Sequence, residues 1–460
     1  MRSPQKVFRR LVAVAALVWI GLALSHPGSV SSRSSIQTNS ALPPHSSPST
    51  VSSSMTLSPE LAIKFQPALL KQLLSNGTAA SAVYRILIQT KPLMADTSAA
   101  KQSSGTSQAD QRAAMVNNLQ SIAARSQAGL LAYLDQVQRS DQAGDVRSLW
   151  INNSVAARVD RSTLLALAAR PDVLRIDLDQ YRQWVIDQPL TGNGRPPFAD
   201  HDRLAADGVQ AATAVNSPSS SVEWNIAKIR ADQVWSALGI SGTGVVVANM
   251  DTGVDWQHPA LLAAYRGYNF KNLPNHLYSW FDATPDADAY PYDGYGHGTH
   301  TMGTLVGSDG IGVAPGAKWI AARVLDSSGR GYDSWIHAGF QWILAPGGDP
   351  SKAPNVLSNS WGNSDGYDQS FSDDLKALNA AGIATFFSNG NNGPGGGTVG
   401  SPASLPGAFG VGATDDQDII AYFSSRGPSP FGPIKPDVSA PGMNIRSSYP
   451  GGVYRIFSGT

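Results

Sequence analysis

Five short apolar runs, at 245–250, 319–324, 356–360, 383–388 and 410–413, alternate with helical patterns near 299–306, 332–344 and 372–381. Ser372 stands as a cap before the last of these helices, and Gly382 follows its end. Strands apolar on both faces must be covered on both faces, so the pattern predicts an α/β fold with a parallel sheet between two helical layers. Ligands of such sheets bind at the carboxyl ends of strands. Asp251, the stretch Ser360-Trp361-Gly362 and the stretch Asn389-Gly390-Asn391 all stand just past a strand end. They are expected to line one edge.

At 460 residues the chain exceeds one ordinary domain. Its formal net charge of zero gives no basic field for nucleic acid. It has no Cys, which excludes disulfides, a thiol nucleophile and Cys-ligated metal. Arg2, Lys6, Arg9 and Arg10 precede an apolar stretch at 11–24, and Ala23-Leu24-Ser25 offers small residues for cleavage. Residues 1–25 therefore read as a signal peptide, with an uncleaved anchor as the alternative for a run short for a span. This implies a secreted protein with no membrane contact after cleavage. Residues 26–75 are expected to be a linker, Ser- and Pro-rich over 26–56.

A small α+β domain is expected over 76–187. A strand at 83–88 is followed by a helix at 111–139 with Met115, Leu119, Ile122, Leu130, Leu134 and Val137 on one face. Strands at 146–151 and 154–159, a helix capped by Asp160, and a strand at 173–178 complete a split βαβ, ferredoxin-like order. It holds no His and no paired carboxylates, so it reads as an accessory or binding domain. Residues 188–221, rich in turn formers, read as a processing junction, and 222–460 as the main domain.

The chemistry centres on Gly296-His297-Gly298-Thr299-His300, where small residues let a helix start close against the sheet. Asp251-Thr252-Gly253 matches the aspartic-protease tripeptide, but those enzymes need two such carboxylates and no second copy occurs. His297 and His300 at i, i+3 offer two metal ligands, without the His-Glu-x-x-His pattern of zinc hydrolases. The remaining arrangement is an Asp that orients a His, leaving the second ring nitrogen as a general base. Asn391, in a Gly-rich turn after a strand, can offer an amide to a developing oxyanion.

Taken in order, residues 247–255, 296–300, 359–362, 388–391 and 435–442 resemble the motifs of the subtilisin-like (S8, subtilase) serine proteases, in particular the bacillopeptidase F-like branch. The resemblance covers 222–460. It implies a peptidase working through an Asp-His-Ser triad on protein or peptide substrates, with Asp251 as orienting acid, His297 as base and Asn391 as oxyanion donor. It also implies that Ser360, Trp361 and Gly362 form one substrate-binding edge and Gly329-Arg330-Gly331 the opposing one. Asn389, next to the primary pocket, stands where the family usually has Ala. The small domain resembles the family's inhibitory propeptide.

The family's nucleophile follows Ser-Gly-Thr, and here Ser458-Gly459-Thr460 are the last residues. The expectation is a fragmentary sequence of a zymogen, inactive as it stands. A non-catalytic peptide-binding protein that keeps the cleft is the alternative. No cofactor is expected. Asp282, Asp286, Asp288 and Asp293 could hold a structural calcium, against the plainer reading of a solvated acidic loop. A monomer is expected.

Overall fold

The computed structural model describes residues 57–76, 82–91, 107–185 and 222–460. The signal peptide, most of the linker and the processing junction lie outside the described residues.

Residues 57–75, expected to be linker, instead carry two helices, α1 (Pro59–Ala62) and α2 (Pro67–Ser75). Each begins with proline, whose fixed φ suits a first turn. Phe65, Leu69 and Leu73 are buried in the core of the small domain. The correction follows from spacing: Leu69 and Leu73 fall one turn apart and present one apolar face.

The small domain continues with β1 (Val83–Thr90), α3 (Gln108–Gln138), β2 (Ala143–Leu149), β3 (Ser154–Asp160), α4 (Arg161–Ala169) and β4 (Val173–Leu178). The sheet order is β2-β3-β1-β4, antiparallel throughout, which is the split βαβ topology. Asp160 caps α4 by accepting a hydrogen bond from the Thr163 amide at 2.7 Å. Alternation along β1 divides its side chains. Tyr84, Ile86 and Ile88 face the domain's own core, while Leu87 joins a second core shared with the rest of the chain. Met115, Val116 and Leu119, on the first half of α3, belong to that second core too. A short strand β5 (Tyr181–Gln183) follows.

The main domain opens with α5 (Trp224–Lys228) and α6 (Ala231–Leu238), then β6 (Val246–Asp251), α7 (Pro259–Leu262), β7 (Trp280–Asp282) and α8 (His297–Val306). Next come β8 (Lys318–Arg323), β9 (Arg330–Tyr332), α9 (Asp333–Leu344), β10 (Val356–Asn359) and α10 (Ser372–Ala380). It ends with β11 (Ala384–Ser388), β12 (Phe409–Thr414), β13 (Val438–Pro441) and the hairpin β14 (Ile445–Tyr449) and β15 (Val453–Phe457). Seven strands form one parallel sheet in the order β13-β12-β11-β10-β6-β8-β7. The order reverses at β6, where neighbouring strands leave in opposite directions and a crevice opens. Ser372 is the first helical residue of α10 and not its cap; Phe371 holds that place. Gly382, at φ 72°, ends the helix in the left-handed region as expected. Among the described residues no helix is long and apolar enough to cross a membrane.

The acidic loop before His297 divides in two. Asp282, Asp286 and Asp288 surround the Arg323 guanidinium at 3.1, 2.9 and 3.0 Å. Arg323 is fully buried, so it supplies the positive charge at the place where a cation was considered. Asp293 turns away toward the start of α8. Removing the guanidinium would leave the buried Asp282 carboxylate uncompensated. Arg323→Ala should therefore cost about 3–5 kcal/mol of stability, read by denaturant melts. A change within about 0.5 kcal/mol would contradict this account of the loop.

Candidate active site

Asp251 ends β6, and His297 is the first residue of α8. His297 Nδ1 lies 2.7 Å from Asp251 Oδ1. Two glycines allow this approach. A Cβ on Gly298 would stand 2.1 Å from the Gly253 carbonyl oxygen, and one on Gly253 1.8 Å from that of Tyr292. Gly296, at φ 101°, makes the left-handed turn that brings the chain into the helix. Asp251 is buried, and its Oδ1 also accepts from the Thr252 amide at 2.7 Å. The carboxylate is thereby held toward Nδ1, and the ring itself lines the cleft.

The head of α8 is fixed by Asp293, whose role the sequence did not reveal. Its Oδ1 accepts from the Gly296 amide at 2.7 Å and the Thr252 hydroxyl at 2.9 Å. Its Oδ2 accepts from the Thr299 amide at 2.8 Å and hydroxyl at 2.6 Å. Burial pushes the Asp293 carboxyl up, against the pull of these hydrogen bonds. A negative side chain among the first amides of a helix is favourable. The available signal was an Asp three residues before a glycine that opens a helix.

His300 does not join His297 as a ligand pair. It is buried, and its Nε2 donates to the carbonyl oxygens of Ile445 and Arg455 at 3.1 and 3.2 Å. It ties α8 to the β14–β15 hairpin.

The cleft, about 380 Å³, is lined by His297, Ser360, Trp361, Gly362, Gly390, Asn391 and Thr460 among others. Asn391 Oδ1 accepts from the Thr460 amide at 3.1 Å and hydroxyl at 3.0 Å, which sets the plane of its amide group. Ser360 Oγ donates to the Thr460 carbonyl oxygen at 3.3 Å. The Trp361 side chain is buried, donating from its indole to the Met250 carbonyl oxygen at 2.7 Å. One site residue needs correction. Asn389 is fully buried with its side chain turned to Ser425 and away from the cleft. Strand alternation explains this, since Ser388 and Gly390 on either side do line the cleft.

The two expected substrate edges are occupied by the chain itself. β5 pairs antiparallel with β9, setting Arg182 opposite Gly331. The Trp184 and Val185 amides donate to the Gly329 carbonyl oxygen, and the Gly362 amide donates to that of Trp184 at 3.1 Å. The Trp184 ring is buried between Trp361 and Phe371, with centroids 5.5 and 5.7 Å away. Its indole donates to the Gly331 carbonyl oxygen at 3.1 Å. Residues 181–185 thus lie as an extended segment between Gly329–Gly331 and Gly362.

Burial, reinforced by the nearby His297 charge, lowers the His300 pKa to about 3 despite its carbonyl partners. The unfolded chain takes up this proton below about pH 6.5 and the folded chain does not. The stability held by the neutral ring is complete above that pH and drains away as pH falls toward about 3. The slope from this group is about 1.4 kcal/mol per pH unit. His300→Gln should flatten the acid limb by that amount in melts at successive pH values. Parallel limbs would contradict a neutral buried His300.

Comparison with known proteins agrees with this geometry. The Subtilase family model matches residues 242–460. Bacillopeptidase F of Bacillus subtilis is 40% identical over 370 residues, 77% of this chain and 24% of that protein. Subtilisin E of the same species is 34% identical over 249 residues, 53% of this chain and 58% of that protein. Subtilisin of Bacillus pumilus is 34% identical over 249 residues, covering 80% of its length. The chain therefore spans about a quarter of bacillopeptidase F and somewhat over half of subtilisin E. With its parallel sheet, its Asp251–His297 contact and these similarities, the chain belongs to the subtilase family of serine proteases.

Proposed function

We propose that the protein is a secreted serine endopeptidase made as a zymogen. The observation that carries the reading is the 2.7 Å contact of Asp251 with His297 at the mouth of a cleft already holding an extended peptide segment. Asp251 keeps the proton on His297 Nδ1, so Nε2 is the basic nitrogen on the cleft side. There it takes the proton of an attacking serine hydroxyl and returns it to the leaving amine. The reading places that serine on a residue joined to Thr460, whose carbonyl stands beside Ser360 and whose amide is held by Asn391. Asn391 Oδ1 is taken by Thr460, which directs the NH₂ end of the amide to the developing oxyanion. Protein substrates lie extended between Gly329–Gly331 and Ser360–Gly362, joined through main-chain hydrogen bonds that impose little sequence preference.

In the same reading the small domain is the inhibitory propeptide. Its tail fills the substrate edges, and its body is anchored at several points. Asp179 accepts from the Ser334 amide and hydroxyl at 2.9 and 2.8 Å, at the start of α9. Arg182 makes a forked pair with Asp333 and reaches Asp368 at 2.8 Å. Arg112 is buried and donates to the Ala381 and Ala353 carbonyl oxygens.

In the full-length enzyme, peptide hydrolysis should rise with pH as His297 loses its proton. His297→Ala should lower kcat by roughly 10⁶, the scale that subtilisin itself shows for this group. Asn391→Ala should lose roughly 10²–10³, also subtilisin's own scale for its oxyanion-hole asparagine. Near-normal kcat in His297→Ala would overturn the base assignment. Unchanged kcat in Asn391→Ala would reduce that residue to a turn former.

A further inference from the structure

We infer that Asn389 is a positioning residue for the oxyanion-stabilising amide, acting through Ser425. The inference rests on the reading of Asn391 as that donor. Asn389 directly follows the last residue of β11 and is fully buried. Its Nδ2 donates to the Ser425 carbonyl oxygen at 2.6 Å. Ser425 returns two further bonds to the same turn. Its amide donates to the Gly390 carbonyl oxygen at 2.9 Å, and its Oγ accepts from the Asn392 amide at 3.0 Å. Asn391 is thus bracketed on both sides by residues tied to one serine. The space is tight, since a Cβ on Gly390 would stand 2.9 Å from Ser425 Oγ.

The other end of the Asn389 amide argues for function over stability. Its Oδ1 is buried against Gly410 and finds no hydrogen-bond partner among the described residues. A buried acceptor without a partner is a standing cost that an alanine, with no polar atoms, would remove. Alanine would also remove the only side-chain group that Asn389 can offer to Ser425. The turn would then be held from the Ser425 side alone. Gly390 sits at φ 102°, one of several conformations open to a glycine, so its neighbours must select it. An oxyanion donor works by being in place before the reaction, so a looser turn lowers the rate of the chemical step and leaves substrate pairing along the edges intact.

The test is a double-mutant cycle in the full-length enzyme, with kcat and KM measured separately. Asn389→Ala should lower kcat about tenfold, part of the roughly 10²–10³ that a whole donor supplies, with KM within about twofold. In an Asn391→Ala background the same change should cost less than about twofold, because the group it positions is gone. Ser425→Ala, which removes the acceptor for Asn392, should behave the same way and decides the matter if Asn389→Ala does not fold. Equal losses with and without Asn391 would show a general structural role and overturn the inference while leaving the Asn391 reading standing. No loss in either single variant would overturn it as well. If Asn391→Ala itself keeps full kcat, the oxyanion reading falls and the inference falls with it.

Discussion

The structure depends on bringing the first residue of a helix into contact with the last residue of a strand. His297 and Asp251 meet at 2.7 Å because Gly298 presents no side chain between α8 and the end of β6, and Gly253 none against the loop that leads into α8. The contact is secured from behind. Asp293 gathers the first amides of α8, and Thr252 links Asp293 to the Gly298 amide at 3.0 Å. His300, one turn on, fastens the helix to the β14–β15 hairpin. That hairpin delivers Ser458-Gly459-Thr460 to Asn391. Asp251, Thr252, Asp293 and His300 are polar and buried, so each unmade bond among them would cost more than a made one gains. Such a network has one good arrangement, which suits a site that must be in place before its substrate arrives.

The two domains are joined by opposite ends of helices. Asp179 brings a carboxylate to the start of α9, and Arg112 brings a guanidinium to the Ala381 carbonyl oxygen at the end of α10. Both follow the sign of the helix dipole. Between them Gln341, on α9, accepts from the Trp150 and Ile151 amides of the small domain. The apolar side of this contact is continuous with the main core, through Leu87, Met115 and Leu149. The tail at 181–185 then extends the contact to the cleft as one more strand. Contact with the small domain is therefore spread over a wide surface, of which residues 181–185 along Gly329–Gly331 and Gly362 are one part.

Most of the fold was legible because it is written in periodicity. The five apolar runs became parallel strands within one or two residues, and the split βαβ order held. What escaped was structure with little pattern. The helices α1 and α2 are short, β13 and β14 carry small and polar residues, and β15 is a run of only five. The placement of candidate residues was legible where a motif coincides with the end of a strand, as at Asp251 and Asn391, or with the start of a helix, as at His297. It was not where position and direction differ. Asn389 lies in the right motif but points inward, and the roles of Asp293 and Ser425 arise from contacts across 30 or more positions in the case of Ser425. The acidic loop reads as solvated, with a calcium site as the alternative, because the sequence does not show that Arg323, distant along the chain, projects into it.

The central claim is that the Asp251–His297 cleft cuts peptide bonds and that the chain's own segment lies in it beforehand. Mass spectrometry of the purified full-length protein over time tests this most directly. The account predicts cleavage within residues 186–221, peptidase activity that appears only after that cut, and an uncut, inactive His297→Ala protein. Cleavage at the same place and rate in His297→Ala, or full activity before any cut, would contradict it.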